Sequence, residues 1–219
     1  MDLSYSNINL FPSVIHQFDV NGFGEIQDEL IDYAYNLRKE DEGVCISNYG
    51  GWQSNSFCVE NEDDVLHNFI INCLAGFPVI DETFNMKVSA WVNINKPGDC
   101  NIKHNHPGVD LAGVLWIKCP ENCGVIEFDS PTVFQSHTQI NSYTEDFKNQ
   151  NNLFHNYYFN PTEGRILVFP AHLDHHVQKN KSTEDRISVS FNIRLSSGRM
   201  KRRGRVSIPR WNFDWSPNK

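Results

Sequence analysis

Nowhere in the 219 residues do eighteen apolar residues run together, so the sequence offers no membrane-spanning helix. Its start, MDLSYSNINLF, has neither a basic stretch nor an apolar run of secretory-signal length. Both absences predict a soluble, cytoplasmic chain without a membrane partner. Positive charge is also scarce: 19 Lys and Arg stand against 27 Asp and Glu, giving a net charge of -8 and a pI near 5.5. A body of that sign repels a phosphate backbone, which excludes nonspecific binding to nucleic acid. The exception is the end of the chain. From Ser196 onward seven basic residues face only Asp214, so the tail carries +6 and the remainder -14. RMKRRGR within it reads as a solvated terminal segment, with nucleic acid or an acidic partner as the alternative. The two tryptophans and the phenylalanine of IPRWNFDW would pack the tail back onto the body.

A second cysteine pair at zinc spacing is missing as well. Cys119 and Cys123 lie four apart with no companion pair, which argues against a structural zinc. Without an export signal, the six cysteines read as reduced thiols rather than three disulfides.

The length suits one domain of about 200 residues with a full core. No internal repeat is visible. In GEIQDELIDYAYNL (24 to 37), Ile26, Leu30, Ala34 and Leu37 recur every three to four residues opposite an acidic face, as in an amphipathic helix. DDVLHNFIINCLAGF (63 to 77) repeats the pattern, with Asp63 or Asp64 as N-cap. After Pro78 the period drops to two. Met86, Val88, Ala90, Val92 and Ile94 alternate with Lys87, Ser89, Trp91 and Asn93, and further strands follow at 113–118, 124–128, 164–169 and 186–195. These features predict a mainly β (α+β) fold: a double-stranded β-helix, or jelly roll, with N-terminal helices buttressing one side. The predicted layout is helices over about 24–77, a jelly-roll core over about 85–195, and the basic tail over 196–219. Residues 130–163 read as a lid, a binding loop or a plain surface excursion, with a short strand near HNYYF.

Histidines dominate the chemistry. In NIKHNHPG, His104 and His106 are two apart, and on a strand two such residues share a face and reach one metal ion together. By itself the pair is weak, since nine histidines in this length give roughly 0.4 such pairs by chance. FPAHLDHHVQKN supplies a third imidazole from a distant strand, completing a facial set that suits iron, zinc, copper or nickel. Position does not choose among His172, His175 and His176. In RISVSFN, Arg186, Ser188, Ser190 and Asn192 share one face of a strand whose other face is apolar. That polar face looks either to solvent or into a cavity. If it looks inward, Arg186 needs an anionic partner, and its fork with a hydroxyl two residues on suits a carboxylate.

Together these segments resemble the iron(II) and 2-oxoglutarate-dependent oxygenases, and specifically a small group with an H-x-H-P element. The resemblance runs from GGWQS, which ends at Ser54, through WVNINKPGDCNIKHNHPG, GVLWIK and FPAHLDHHVQKN to RISVSFN, some 140 residues. FPAHLDHHV is similar to the group's F-P-S-x-L-x-H-x-V, which selects His175 as the distal ligand. RISVSFN is similar to its R-x-S element, which gives Arg186 and Ser188 to the far carboxylate of 2-oxoglutarate. The resemblance implies Fe(II) held by His104, His106 and His175, and 2-oxoglutarate as cosubstrate. It also implies release of succinate and carbon dioxide with hydroxylation of a small molecule or peptide. Trp116 falls where many relatives place a tyrosine facing the cosubstrate. One departure stands out: the superfamily's proximal pair is H-x-D, and here His106 replaces the aspartate. Asp110 is the alternative carboxylate, but it lies beyond Pro107 and Gly108. Two other readings remain open at this level: a three-histidine cupin-like dioxygenase without cosubstrate, and a noncatalytic jelly-roll binding protein.

Overall fold

The computed structural model describes residues 4–75, 77, 80–81, 83–132 and 138–197; the basic tail and its aromatic end lie outside them. The elements are β1 (His16–Asp19), α1 (Gln27–Glu40), β2 (Asn48–Tyr49), β3 (Trp52–Gln53), β4 (Phe57–Cys58), α2 (Val65–Ala75), β5 (Phe84–Asn95), β6 (Cys100–His104), β7 (Leu111–Lys118), β8 (Ile126–Asp129), α3 (Thr138–Asn141), α4 (Glu145–Asn151), β9 (Asn156–Phe159), β10 (Arg165–Pro170), β11 (His175–Val177) and β12 (Arg186–Ser197). Every strand pairing among the described residues is antiparallel. The larger sheet runs β1-β10-β7-β12-β5-β3, with β4 also on β5, and the smaller runs β2-β6-β11-β8-β9. This is the expected mainly β jelly roll.

Alternation along the strands decides what each face buries. On β12, Ile187, Val189, Phe191 and Ile193 join Ala90, Val92 and Ile94 of β5 and Leu115 and Ile117 of β7 in one buried cluster with the helices. There α1 contributes Leu30 and Ala34, and α2 contributes Leu66, Ile70 and Leu74. Burying a side chain of this size yields about 1.5–3 kcal/mol, so the helices stay on the sheet through this stripe rather than through their polar faces. Asp64 is the residue that caps α2, its Oδ1 accepting from the N–H groups of Leu66 and His67 at 3.0 Å each. The opposite face of the larger sheet turns toward the smaller one. Val114 and Trp116 meet Ile126 and Phe128 of β8, with Phe169 and Leu173, in a second cluster between the sheets.

One expectation needs correction. The strand carrying His104 stops there, and His106 follows in irregular backbone, its N–H donating to the carbonyl of Ala171 at 2.9 Å instead of joining a ladder. Pro107 nevertheless keeps the preceding residue extended, so the two-residue alternation survives one step past the strand. Within 130–163 the short strand expected near HNYYF is β9, paired to β8, and α4 is capped by Thr144. Trp52 packs against the helix-side core, and its Nε1 donates to the carbonyl of Asp41.

Candidate metal centre

Where the two sheets face each other, three imidazoles meet. His104 ends β6, His175 begins β11 directly opposite it in register, and His106 arrives on the segment after β6. Single ligand atoms from the three lie within 4.8 Å of one another, and this is the group of metal-ligating side chains found among the described residues. Asn105 ties the two segments together, its Nδ2 donating to Asp174 Oδ1 at 2.8 Å.

Backbone carbonyls fix the rings. The Nδ1–H of His104 donates to the Ile102 carbonyl at 2.7 Å, and that of His175 to the Leu173 carbonyl at 2.9 Å. Each therefore turns an Nε2 lone pair away from the backbone, the usual way a protein orients an imidazole for a metal. The Nε2 atoms of His106 and His175 stand 3.4 Å apart. Nitrogens bonded to one ion at about 2.1 Å sit roughly 3–3.4 Å apart, so this spacing fits a shared cation. Burial lowers the proton affinity of all three rings. His106 falls to about 4, through burial first and then repulsion from His104, with Asn192 opposing. His175 falls to about 3 through burial, against the pull of its Leu173 hydrogen bond. Burial also lowers His104. At neutral pH the three are uncharged, the form in which imidazole binds a metal.

The same cavity, open to solvent, reaches Arg186, Ser188 and Trp116. The polar face of β12 therefore looks inward. Arg186 is only 1% exposed. Its Nη1 donates to the carbonyls of Cys123 and, at 3.1 Å, Gln178, while the buried Nη2 has no partner. Among the described residues no carboxylate pairs with it. A buried guanidinium with a vacant fork edge fits a carboxylate ligand arriving through the cavity. Ser188 follows on the same face and is opposed across the sheet by Trp116 and Asn93.

The remaining predicted residues separate cleanly. His172 is exposed, and His176 turns toward Glu127, 3.7 Å away. Asp110 is exposed too, its carboxylate accepting from the Leu195 N–H at 2.7 Å, so it serves β12 and not the histidine group. Sequence reasoning missed Trp91, which stacks on His106 with centroids 5.9 Å apart, and Asn93, whose Nδ2 donates to Ser190 Oγ while its buried Oδ1 has no partner. Both sit on the mixed face of β5, where parity with Lys87 and Ser89 was the available signal.

Comparison with known proteins agrees with this geometry. No protein of curated function matches the chain in sequence. Among solved structures it is similar to a Pseudomonas putida prolyl-4-hydroxylase (TM-score 0.56, 11% identity, 82% of this chain and 91% of that one). It is similar also to the non-heme alpha ketoglutarate dependent epimerase SnoN from nogalamycin biosynthesis (0.56, 13%, 82% and 76%). A third is a Trichoplax adhaerens prolyl hydroxylase in complex with a hypoxia inducible factor peptide (0.53, 11%, 82% and 78%). At such identities these likenesses establish the fold alone. Residues 89–192 match the family model described as "Putative 2OG-Fe(II) oxygenase", a span that holds the three histidines, Arg186 and Ser188. Over that span, just under half of the chain, and with its jelly roll and its three-histidine group, the chain is similar to the 2-oxoglutarate and Fe(II) oxygenases.

Proposed function

We propose that the chain is a hydroxylase in which His104, His106 and His175 hold Fe(II), Arg186 and Ser188 hold the far carboxylate of 2-oxoglutarate, and Trp116 walls the cosubstrate. The observation that carries this reading is the unpartnered Nη2 of Arg186, buried in the cavity that the three histidines also line. A three-histidine dioxygenase without cosubstrate leaves that cation without a counter-charge.

Bound together, Fe(II) and 2-oxoglutarate supply oxidative decarboxylation by dioxygen to succinate and carbon dioxide, coupled to oxidation of a substrate C–H bond. The protein's own part is geometric and dielectric. His104 and His175 are locked by backbone carbonyls, so their lone pairs are aimed before any ion arrives. Arg186 sets the direction in which a dicarboxylate enters, because its Nη1 is already committed to two carbonyls while its Nη2 is free to receive it. Trp91 and Phe169 flank His106 and limit water on its side. The substrate is a small molecule or a peptide; of the similar structures, one is bound to a peptide and another comes from nogalamycin biosynthesis.

The test is anaerobic: Fe(II) and 2-oxoglutarate are added to the chain and the visible charge-transfer band of the chelate is sought. Its appearance, with loss in Arg186→Ala, is the expected result. A chain that binds Fe(II) and shows no such band at saturating 2-oxoglutarate excludes the cosubstrate.

A further inference from the structure

Arg186 is gripped from behind by a loop that carries two thiols. β7 ends at Lys118, and the chain then turns back on itself, the Cys123 N–H donating to the Pro120 carbonyl at 3.1 Å. This loop is sewn to residues 178–181. Gln178 N–H donates to the Val125 carbonyl and Lys181 N–H to the Asn122 carbonyl, each at 2.9 Å. Gly124 has φ +89°, and a Cβ there would lie 2.5 Å from the Gln178 carbonyl oxygen, so the two segments touch along their backbones. The two carbonyls that accept from Arg186 Nη1, those of Cys123 and Gln178, both belong to this seam. Whatever moves the loop moves the guanidinium.

Cys119 precedes the turn that Cys123 closes on Pro120, so the two thiols flank one turn. The neighbouring Cys119 thiol, with the Arg186 charge adding to it, lowers Cys123 to about 7 against burial, while Cys119 itself is raised. Cys119 is half-buried, its N–H held by Glu163 Oε1 at 2.9 Å, and Cys123 is buried. All six cysteines are free. A thiol pair close together in a tight turn, beside a cation and with one member reachable from solvent, has the features of a redox-active pair.

We propose that Cys119 and Cys123 form a reversible disulfide that sets how well Arg186 receives an anion. The second half of this proposal rests on reading Arg186 as the 2-oxoglutarate anchor. The oxidant is a peroxide. The Cys123 thiolate attacks one peroxide oxygen, the O–O bond breaks, and the hydroxide released takes up the proton that Cys123 gave off, leaving a sulfenic acid and one water. The Cys119 sulfur then attacks the Cys123 sulfur, the S–O bond breaks, and the departing hydroxyl leaves as a second water with the Cys119 proton. Two thiols lose two electrons and the peroxide is reduced to two waters. A sulfur–sulfur bond of about 2.05 Å draws the side chains closer than any nonbonded contact, and in so short a turn the Cys123 backbone must follow. Its carbonyl then leaves the Arg186 Nη1.

The experiment uses the full chain, stripped of metal and treated with hydrogen peroxide, then with catalase. Alkylation and peptide mapping read the thiols, and calorimetry after anaerobic loading with Mn(II) reads 2-oxoglutarate affinity. The expected result is a peptide carrying both cysteines unalkylated and two mass units below its reduced form. Affinity for 2-oxoglutarate should fall about tenfold and return with dithiothreitol, as for a labile regulatory disulfide. Cys119→Ser, which leaves the Cys123 carbonyl in place, should bind 2-oxoglutarate like the reduced protein before and after peroxide. The proposal is overturned if both thiols stay alkylatable, or if the linked form binds as tightly as the reduced one. If the disulfide forms while even the reduced protein fails to bind 2-oxoglutarate, the modification site stands, and both the anchor and its control are overturned.

Discussion

Arg186 is a buried cation with half of its hydrogen-bonding fork unused, and leaving a charged donor unsatisfied costs more than the 1–3 kcal/mol typical of a neutral one. A carboxylate bound there removes that cost. Arg186→Ala should therefore weaken 2-oxoglutarate binding by about 2–3 kcal/mol, near a hundredfold, in calorimetry with Mn(II). Arg186→Lys, which keeps the charge but not the fork, should fall in between. The histidines make a pH prediction for the metal-free chain. Their ordinary value is 6.5, and in the folded state His106 sits at about 4 and His175 at about 3. Above pH 6.5 both states are neutral and stability is complete. As the pH falls below 6.5 the unfolded chain takes up protons that the folded chain refuses, so stability drops until about pH 3 and flattens below it. Urea midpoints measured across that range should show the slope, and His106→Gln should make it shallower. His104 and His106 were legible as a pair, and Arg186 as an inward cation only on the condition that its face turned inward. Nothing local to Arg186 states which carbonyls take its other edge, because Cys123 lies 63 residues away, Gln178 lies eight residues back and outside the strand, and both reach it only through the loop seam.

At the scale of elements, the site depends on one strand pairing and a proline. The register that sets His175 opposite His104 brings two ligands together, and Pro107 keeps His106 extended after the ladder has ended. Packing in the larger sheet leaves no room at Gly113 of β7, where a Cβ would meet the Phe191 ring at 2.3 Å and the Leu167 carbonyl oxygen at 2.8 Å. Gly113→Ala should cost about 1–3 kcal/mol in chemical denaturation, since a β-sheet carbonyl cannot step aside as a flexible side chain can. At the other side of the sheet, Asp64→Ala removes the acceptor for two N–H groups of α2 and should cost about 1 kcal/mol without changing metal binding. Both helices and the long strands β5, β7, β10 and β12 were legible because their apolar period persists over many residues. The short strands β1 to β4 were not. Two to four residues carry too little periodicity to be seen, and they exist as strands only because a longer neighbour presents unpaired backbone groups.

For the whole molecule, the metal site exists only when the sheets are assembled, since His106 and His175 are 69 residues apart in the chain. An ion that binds the folded form alone stabilises it by about 2.7 kcal/mol at a hundredfold excess over its Kd. Mn(II) should accordingly raise the Tm of the metal-free chain, and 2-oxoglutarate should raise it further only when the metal is present. In Arg186→Ala the first rise should persist and the second should vanish; in His175→Ala both should be lost. No helix among the described residues is long and apolar enough to cross a membrane. The sequence by itself determined the kind of layers, through its change of period after residue 78, and the chemistry on offer, through residue types suited to it: imidazoles for a metal and a guanidinium for a carboxylate. Tertiary structure alone decided which histidines meet, that the polar face of β12 looks inward, and that Asp110 serves a strand instead of the site. The reason is physical: alternation along a strand says which residues share a face, but only the second sheet packed against it says whether that face is wet or buried.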